Sequence, residues 1–486
     1  MTGRFRAAAL IAAAALCASV FAACGEDSGS GAAPASQTTS QAGESAPAGE
    51  TEPEEPALPT GDYDGYEFNL LQYEETAAAT STICVDELNG DIMNDAIYER
   101  TQAVEERLNV KIVFTKTSLD SVNTMMRNCV VAGDDVYQAF WQHSTTGVDN
   151  FLIWGYLIDQ NKISELDFSQ PWWNDNANNS LRLNDKTFLS FGDINYYLFD
   201  FQCMLLYNKP MLRDLMLDDP YQLVNDGKWT ADVFLSMVPA AASDLNGDGK
   251  LGTKEDRVGM VGHNTATYYG FMHGADAELF SRSEDGIVKY NGVSDKYFEV
   301  LSKYSNVFSD KANCETNGDF EGRFKNGMSL FWASTVGSLS HLRETEFDHG
   351  IVPFPKYDEK QPEYISYISN MIQPMMIPVT VRDTSRCGTV LENFAAESYA
   401  HVRDKYFNVL VESKYVRDEQ SVENLRMIYS SDTRFEIEHI YFYSAGVQDR
   451  VAEAISGKAG NFVSGMEKIT PKLETKMTEV LYILMG

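Results

Sequence analysis

Residues 66–70 read Tyr-Glu-Phe-Asn-Leu, residues 92–108 read Ile-Met-Asn-Asp-Ala-Ile-Tyr-Glu-Arg-Thr-Gln-Ala-Val-Glu-Glu-Arg-Leu, and residues 110–114 read Val-Lys-Ile-Val-Phe. The first stretch alternates apolar and polar, the period of a half-buried strand. The second puts Met93, Ile97, Val104 and Leu108 on one helical face, with Glu99, Arg100, Glu105, Glu106 and Arg107 mostly elsewhere. In the third, Val110, Ile112 and Phe114 alternate again. Strand–helix–strand is the unit of a parallel sheet with helical crossovers, so the chain is of the α/β class.

Working outward, the same rules place further strands. They fall at Val136–Trp141 after a Gly133-Asp134-Asp135 turn, at Met204–Tyr207, at Met328–Trp332, and before Pro353 at Ile351-Val352. Thr230 is placed to cap a helix with Asp232 in its first turn, and Trp229 with Phe234 forms a hydrophobic staple around that start. Helices dominate the end of the chain, over 391–411, 421–430 and 471–484. The last opens at Thr470-Pro471 and carries a stripe of Leu473, Met477, Val480 and Leu484. No internal repeat appears, which excludes solenoids and propellers.

The chain has 486 residues, enough for two or three globular units. Its 44% hydrophobic and 12% aromatic content supplies a core. Thirty-nine Lys+Arg against 71 Asp+Glu give a formal charge of −32. That balance argues against a nucleic-acid binder, which needs cations to displace phosphate counterions. It also argues against a polybasic membrane-surface protein.

Arg4 and Arg6 precede an uncharged apolar run, 7–23, with the layout of a secretory signal. The run ends Phe21-Ala22-Ala23-Cys24, which resembles a bacterial lipobox with Cys24 as the lipidated first mature residue; Phe21 stands where Leu is usual. Cleavage after Ala23 with an unmodified Cys24 is the alternative. Residues 24–60 are poor in large apolar side chains, Leu58 excepted, and read as a disordered tether to a domain that starts near Tyr63. Loss of the two leader arginines takes the charge to −34. Cys84, Cys129, Cys203, Cys314 and Cys387 remain, with no CxxC spacing, so neither a zinc ribbon nor a thioredoxin-type site is indicated. Disulfides and buried thiols are both open.

The sharpest local pattern runs from Asp244 to Glu255, Asp-Leu-Asn-Gly-Asp-Gly-Lys-Leu-Gly-Thr-Lys-Glu. It fits the calcium-loop spacing, with Asp244, Asn246, Asp248, the Lys250 carbonyl and Glu255 as ligands of a structural Ca²⁺. An Asx-rich turn without metal is the other reading. The GxGxxG inside it follows no apolar strand and carries Asp248, which would repel a pyrophosphate, so a dinucleotide site is rejected. The seven His form no HExxH, and there is no GxSxG. His143, after a strand end, lies near a prospective cleft. Trp141 and Trp332 stand at expected strand C-terminal ends, where α/β sheets place ligands, and an aromatic face stacks on the C–H face of a sugar. Trp172, Trp173 and Trp229 read as structural.

Five stretches in order resemble the extracellular solute-binding proteins of bacterial ABC importers, carbohydrate-type family 1. They are Asn94–Arg100, Leu205–Lys209, Gly227–Thr230 with Asp244–Gly249, Gly350–Asp358, and Lys414–Ser421. Ala231 departs from the family, where Trp is common. The resemblance covers 61–486. It implies an α/β, two-lobed periplasmic-binding-protein-like (type II) fold with hinge crossovers and a helical C-terminal portion. Lobe 1 would comprise 61–196 plus 331–372, and lobe 2 would comprise 197–330 plus 373–486. Solute would bind between the lobes, with Trp141, Gln142, Asp193, Tyr196, Trp332 and Asn370 at the cleft or hinge. The implied function is a monomeric, non-enzymatic receptor on the extracellular face of the cytoplasmic membrane. It would be lipid-anchored and would deliver a sugar or oligosaccharide to ABC permease subunits. It requires no cofactor. A secreted glycan-active enzyme and an adhesion or sensory lipoprotein are the alternatives.

Overall fold

The carboxylate of Asp91 accepts from the backbone N–H groups of Met93 and Asn94 and so starts helix α1, Ile92–Leu108. The helix stops at Asn109, whose backbone turns left-handed (φ 48°). On either side lie β1 (Tyr66–Tyr73) and β2 (Val110–Thr117), parallel from Tyr66 opposite Val110 to Tyr73 opposite Thr117. The strand–helix–strand reading holds. This computed structural model describes residues 57–74, 83–145, 147–282 and 286–485. The expected leader, Cys24 and the expected tether as far as residue 56 lie outside the described residues. Leu58 already packs on the first core, and the Pro59 carbonyl accepts from Asn393, so the anchored chain starts before residue 60.

The remaining elements that position the site follow in order. After β2 come α2 (Leu119–Ala132), β3 (Ala139–Trp141) and α3 (Val148–Ile153), then β4 (Cys203–Asn208), α4 (Ala231–Ala240), β5 (Val258–Gly262) and α5 (Asn264–Gly274). Next are β6 (Cys314–Glu315), β7 (Ser329–Thr335), β8 (His349–Val352), β9 (Met375–Met376) and α6 (Thr384–His401). The chain continues through α7 (Glu419–Ser430), α8 (Ile437–Tyr441) and α9 (Phe462–Met485). Two sheets result, ordered β9-β3-β1-β2 and β8-β4-β7-β5-β6. One face of the first sheet buries Phe68, Leu70 and Trp141 against Phe394 of α6. One face of the second buries Met204, Leu206 and Trp332, together with Met93 and Ile97 of α1. The opposite faces of both sheets share a third core.

The strand pairing corrects the expected division of the lobes. Residues 331–372 do not return to the first sheet. β7 pairs with β4 and β5, and β8 pairs with β4, so both belong to the second sheet. The crossing expected near Phe331–Ala333 is mid-strand. The first sheet instead takes β9, antiparallel to β3, and α6, whose Ser398 and Glu397 bind Arg100 and Arg107 of α1. The segments that join the two sheets are those between β3 and β4, between β8 and β9, and between α6 and α7, which docks on β8 through Asn424 Nδ2 to the Ile351 carbonyl.

Two local expectations are refined. Trp229 and Phe234 meet edge to face at 5.9 Å, as a staple requires, but the Thr230 hydroxyl makes no capping bond. The Ala231 N–H is satisfied by the Lys356 carbonyl instead, at 2.7 Å. The last helix begins at Phe462, nine residues before Pro471, which sits inside it. Burial of Phe462, Met466 and Leu473 outweighs the one backbone hydrogen bond the proline removes. All five described cysteines are free thiols, four of them buried.

Candidate functional site at the strand ends

In an α/β fold the groups that meet a ligand gather at the carboxyl ends of parallel strands. At the end of β3, Gln142, His143 and Ser144 leave the first sheet. The Ser144 N–H donates to the Ile372 carbonyl at 2.9 Å, and its hydroxyl donates to the Asn370 carbonyl. The Asn370 amide donates to His439 Nδ1 at 3.0 Å. His439, on α8, packs edge-on to Tyr269 of α5 at 4.9 Å and lies 6.2 Å from the exposed ring of Tyr443. Tyr73, the last residue of β1, meets His143 edge-on at 6.2 Å. A connected set therefore runs from the first sheet, through the joining strand at Asn370, to α8 and on to Tyr269 of α5, which packs on the second sheet.

Burial sets the charge of this set. It pushes the His439 imidazole down to about 4, so at neutral pH Nδ1 is a neutral acceptor for the Asn370 amide. It pushes the Glu436 carboxyl up to about 8 and that of Glu438 up to about 7. Glu436 accepts the hydroxyl of Tyr367, three residues before Asn370 on the same joining strand. The joining strand is thus held by two buried contacts that carry little or no net charge at neutral pH. Ser144, Asn370 and His439 are buried and bonded to one another, and the ring of Tyr443 is the exposed aromatic member of the set.

The structure distributes the six expected ligand residues unevenly. Asn370 joins this set. Gln142 is adjacent in the chain, but its amide turns back to the Leu119 carbonyl and Asn123 and holds the start of α2. Trp141 and Trp332 are 1% and 5% exposed, and their rings lie in the cores, Trp332 against Phe324. They correct the expectation of two stacking platforms, because both point to a helix-covered sheet face rather than past the strand ends. Tyr196 is also buried, with its hydroxyl bound to the Ser398 carbonyl. Asp193 binds Arg403 at 3.0 Å, away from the strand ends. Tyr73, Ser144, His439 and Tyr443 were not singled out by sequence. The aromatic density of His439-Ile440-Tyr441-Phe442-Tyr443 was the available signal.

The Asp244–Glu255 loop is a set of nested Asx turns. Asp244 accepts from the N–H groups of Gly247 and Gly249, Asn246 from Asp248, and Asp248 from Lys250. The Asn246 amide donates to Glu255 at 2.8 Å, so a donor points at the carboxylate that a calcium ion would need. Among the described residues no three His, Cys, Asp or Glu side chains converge as a metal-ligand set. As arranged, the residues do not fit the ion.

No protein-family description matches the sequence, and no curated protein does. Solved structures do match. The ABC substrate-binding protein Lmo0181 from Listeria monocytogenes, in complex with cycloalternan, is 12% identical with a TM-score of 0.55 over 85% of this chain and 100% of that one. UspC of M. tuberculosis is 13% identical with a TM-score of 0.57 over 84% and 100%. The cyclic alpha-maltosyl-1,6-maltose binding protein from Arthrobacter globiformis is 12% identical with a TM-score of 0.55 over 86% and 99%. The chain has the two-lobed fold of the ABC solute-binding proteins. The structures that share it are binding proteins rather than enzymes, among them complexes with cycloalternan, maltotriose and maltotetraose. At this identity the likeness concerns the fold and assigns no ligand.

Proposed function

We propose that the chain is a lipid-anchored extracellular receptor that takes a sugar or oligosaccharide between its lobes and hands it to an ABC permease. The observation that carries this reading is the connected set from Tyr73 and Ser144 through Asn370 to His439 and Tyr443. A solute there touches both sheets and the strand between them, so its binding energy differs between open and closed arrangements, as a closing receptor requires. The largely uncharged set, with the exposed ring of Tyr443, suits an uncharged polyol. Similar folds bind cyclic oligosaccharides and maltodextrins, which supports the same class. Cys24 would carry the anchor at the outer face of the membrane.

The test is a melting-temperature screen with saccharides, amino acids, short peptides and phosphate. A saccharide that binds only the folded state raises the midpoint by an amount that grows as RT ln(1 + [L]/Kd). Tyr443→Ala should weaken that shift. A screen in which only a non-saccharide shifts the midpoint would overturn the ligand class. Product released from any glycan would overturn the receptor reading. For the anchor, Cys24→Ser should move the protein from the membrane fraction to the medium.

A further inference from the structure

A cavity of about 560 Å³ lies beside the segments that join β3 to β4 and α6 to α7. It shares no lining residue with the strand-end set. Counting outward from β1, the first sheet continues through β3 and β9 to Ser190, which bridges to Met375, and then from Gly192 to Trp173. The strand-end set stands over β1 and β3. The cavity opens beyond the outermost of these segments. One wall is the loop at Asn174; the other is formed by Phe407, on the segment between α6 and α7, and by Tyr429 of α7, which docks on β8. Asp193 and Arg403 lie between them.

The lining chemistry is specific. Asp193 is 2% exposed, and Arg403 reaches both of its oxygens at 3.1 and 3.0 Å, so the two charges cancel across the joining segment. Phe407 meets Phe199 at 4.9 Å and Tyr429 at 5.1 Å, both edge to face, which leaves an aromatic corner. Carboxamides stand on opposite walls, Asn174 on the first, where its oxygen accepts the Ala177 N–H, and Asn408 on the second, where its amide donates to Asp404 at 3.4 Å. The close approach that shapes the first wall needs glycine at 192, where a Cβ would meet the Trp173 ring at 2.6 Å.

We propose that this cavity is a second binding site, for a small neutral polyhydroxylated ring of mono- or disaccharide size. The aromatic corner suits its C–H face, and the opposed carboxamides suit its hydroxyls. The lining carries Asp175, Asp193 and Asp404 against Arg403 and Arg426, a nearly balanced set that favours an uncharged occupant. The walls come from both sheets, so an occupant fixes their spacing beside the joining segments and couples to closure at the strand ends. The ligand class rests on the reading above, but the location does not.

The test is calorimetric titration of the full chain with glucose, maltose and raffinose, on wild type and two plugging variants. Asn408→Trp fills the cavity from an exposed position on one wall, and Asn174→Trp fills it from the other. The expected result is two binding events with at least one sugar. The plugs weaken one at least tenfold, and Tyr443→Ala weakens the other. A single event untouched by both plugs but weakened by Tyr443→Ala overturns the second site and leaves the receptor reading standing. A single event lost in both plugs and untouched by Tyr443→Ala supports this cavity and moves the receptor site to it. No binding of any of the three sugars overturns the ligand class at both places. Circular dichroism of the two plugs separates loss of binding from loss of fold, and only a plug that retains wild-type melting counts.

Discussion

Glu436→Gln is the most informative single substitution. The side chain is 1% exposed; one oxygen accepts the Tyr367 hydroxyl, and the other has no hydrogen-bond partner among the described residues. Burial pushes the carboxyl up from 4.5 to about 8. The folded protein therefore takes up a proton here before the unfolded chain does. Wild-type stability from this group rises as pH falls from above 8 toward the ordinary carboxyl value, and it is lost as pH rises through about 8. Each pH unit in that interval is worth about 1.4 kcal/mol, which gives a ceiling of roughly 5 kcal/mol for carrying the ionised group. The variant carries no such charge, but its amide oxygen is a weaker acceptor toward Tyr367, so we expect a gain of about 2 kcal/mol at pH 8. With an unfolding entropy of about 2.1 cal/mol/K per residue over roughly 430 residues, that is a rise of ~2 °C. The assay is thermal melting of both proteins at pH 8, 7, 6 and 5. The difference should shrink steadily, pass through zero near pH ~6 and reverse by roughly 1.5 kcal/mol at pH 5, because only the wild type titrates. A variant less stable at pH 8, or a difference that does not change with pH, would refute the reasoning.

Three further outcomes follow from the same structure. Trp229→Ala removes a fully buried ring that packs on Phe234 and Phe331 and donates to the Pro353 carbonyl; denaturant unfolding should show a loss of about 3–5 kcal/mol. In the Asp244–Glu255 loop Asp244, Asn246 and Asp248 accept from the loop's own N–H groups and Glu255 from the Asn246 amide, so millimolar Ca²⁺ should leave the melting temperature unchanged relative to a chelator, and a reproducible rise would restore the calcium site. Site-resolved alkylation without reductant should label the half-buried Cys129 first, and Cys84, Cys203, Cys314 and Cys387 only in denaturant. Any of the five protected after denaturation would show a disulfide.

Much of the fold was legible because it rests on local periodicity. The crossover of 66–70, 92–108 and 110–114 and the staple at Trp229 and Phe234 follow from side-chain spacing within one segment, and the strand at Met204–Tyr207 from an unbroken apolar run. Spacing also placed Trp141 and Trp332 correctly on strands. It could not say which way they face relative to the lobes, because strand alternation distinguishes two faces without telling which is covered.

What the sequence by itself determined is the α/β class and the acidic balance of charge. Those depend on short-range pattern and composition. Only the tertiary structure decided that 331–372 belongs to the second sheet, since strand order is a choice of long-range partners. It alone brought Ser144, Asn370 and His439 together across nearly 300 residues of chain, and it alone paired Asp193 with Arg403. Their chemistry depends on burial and proximity, and neither is a property of a residue's neighbours in sequence.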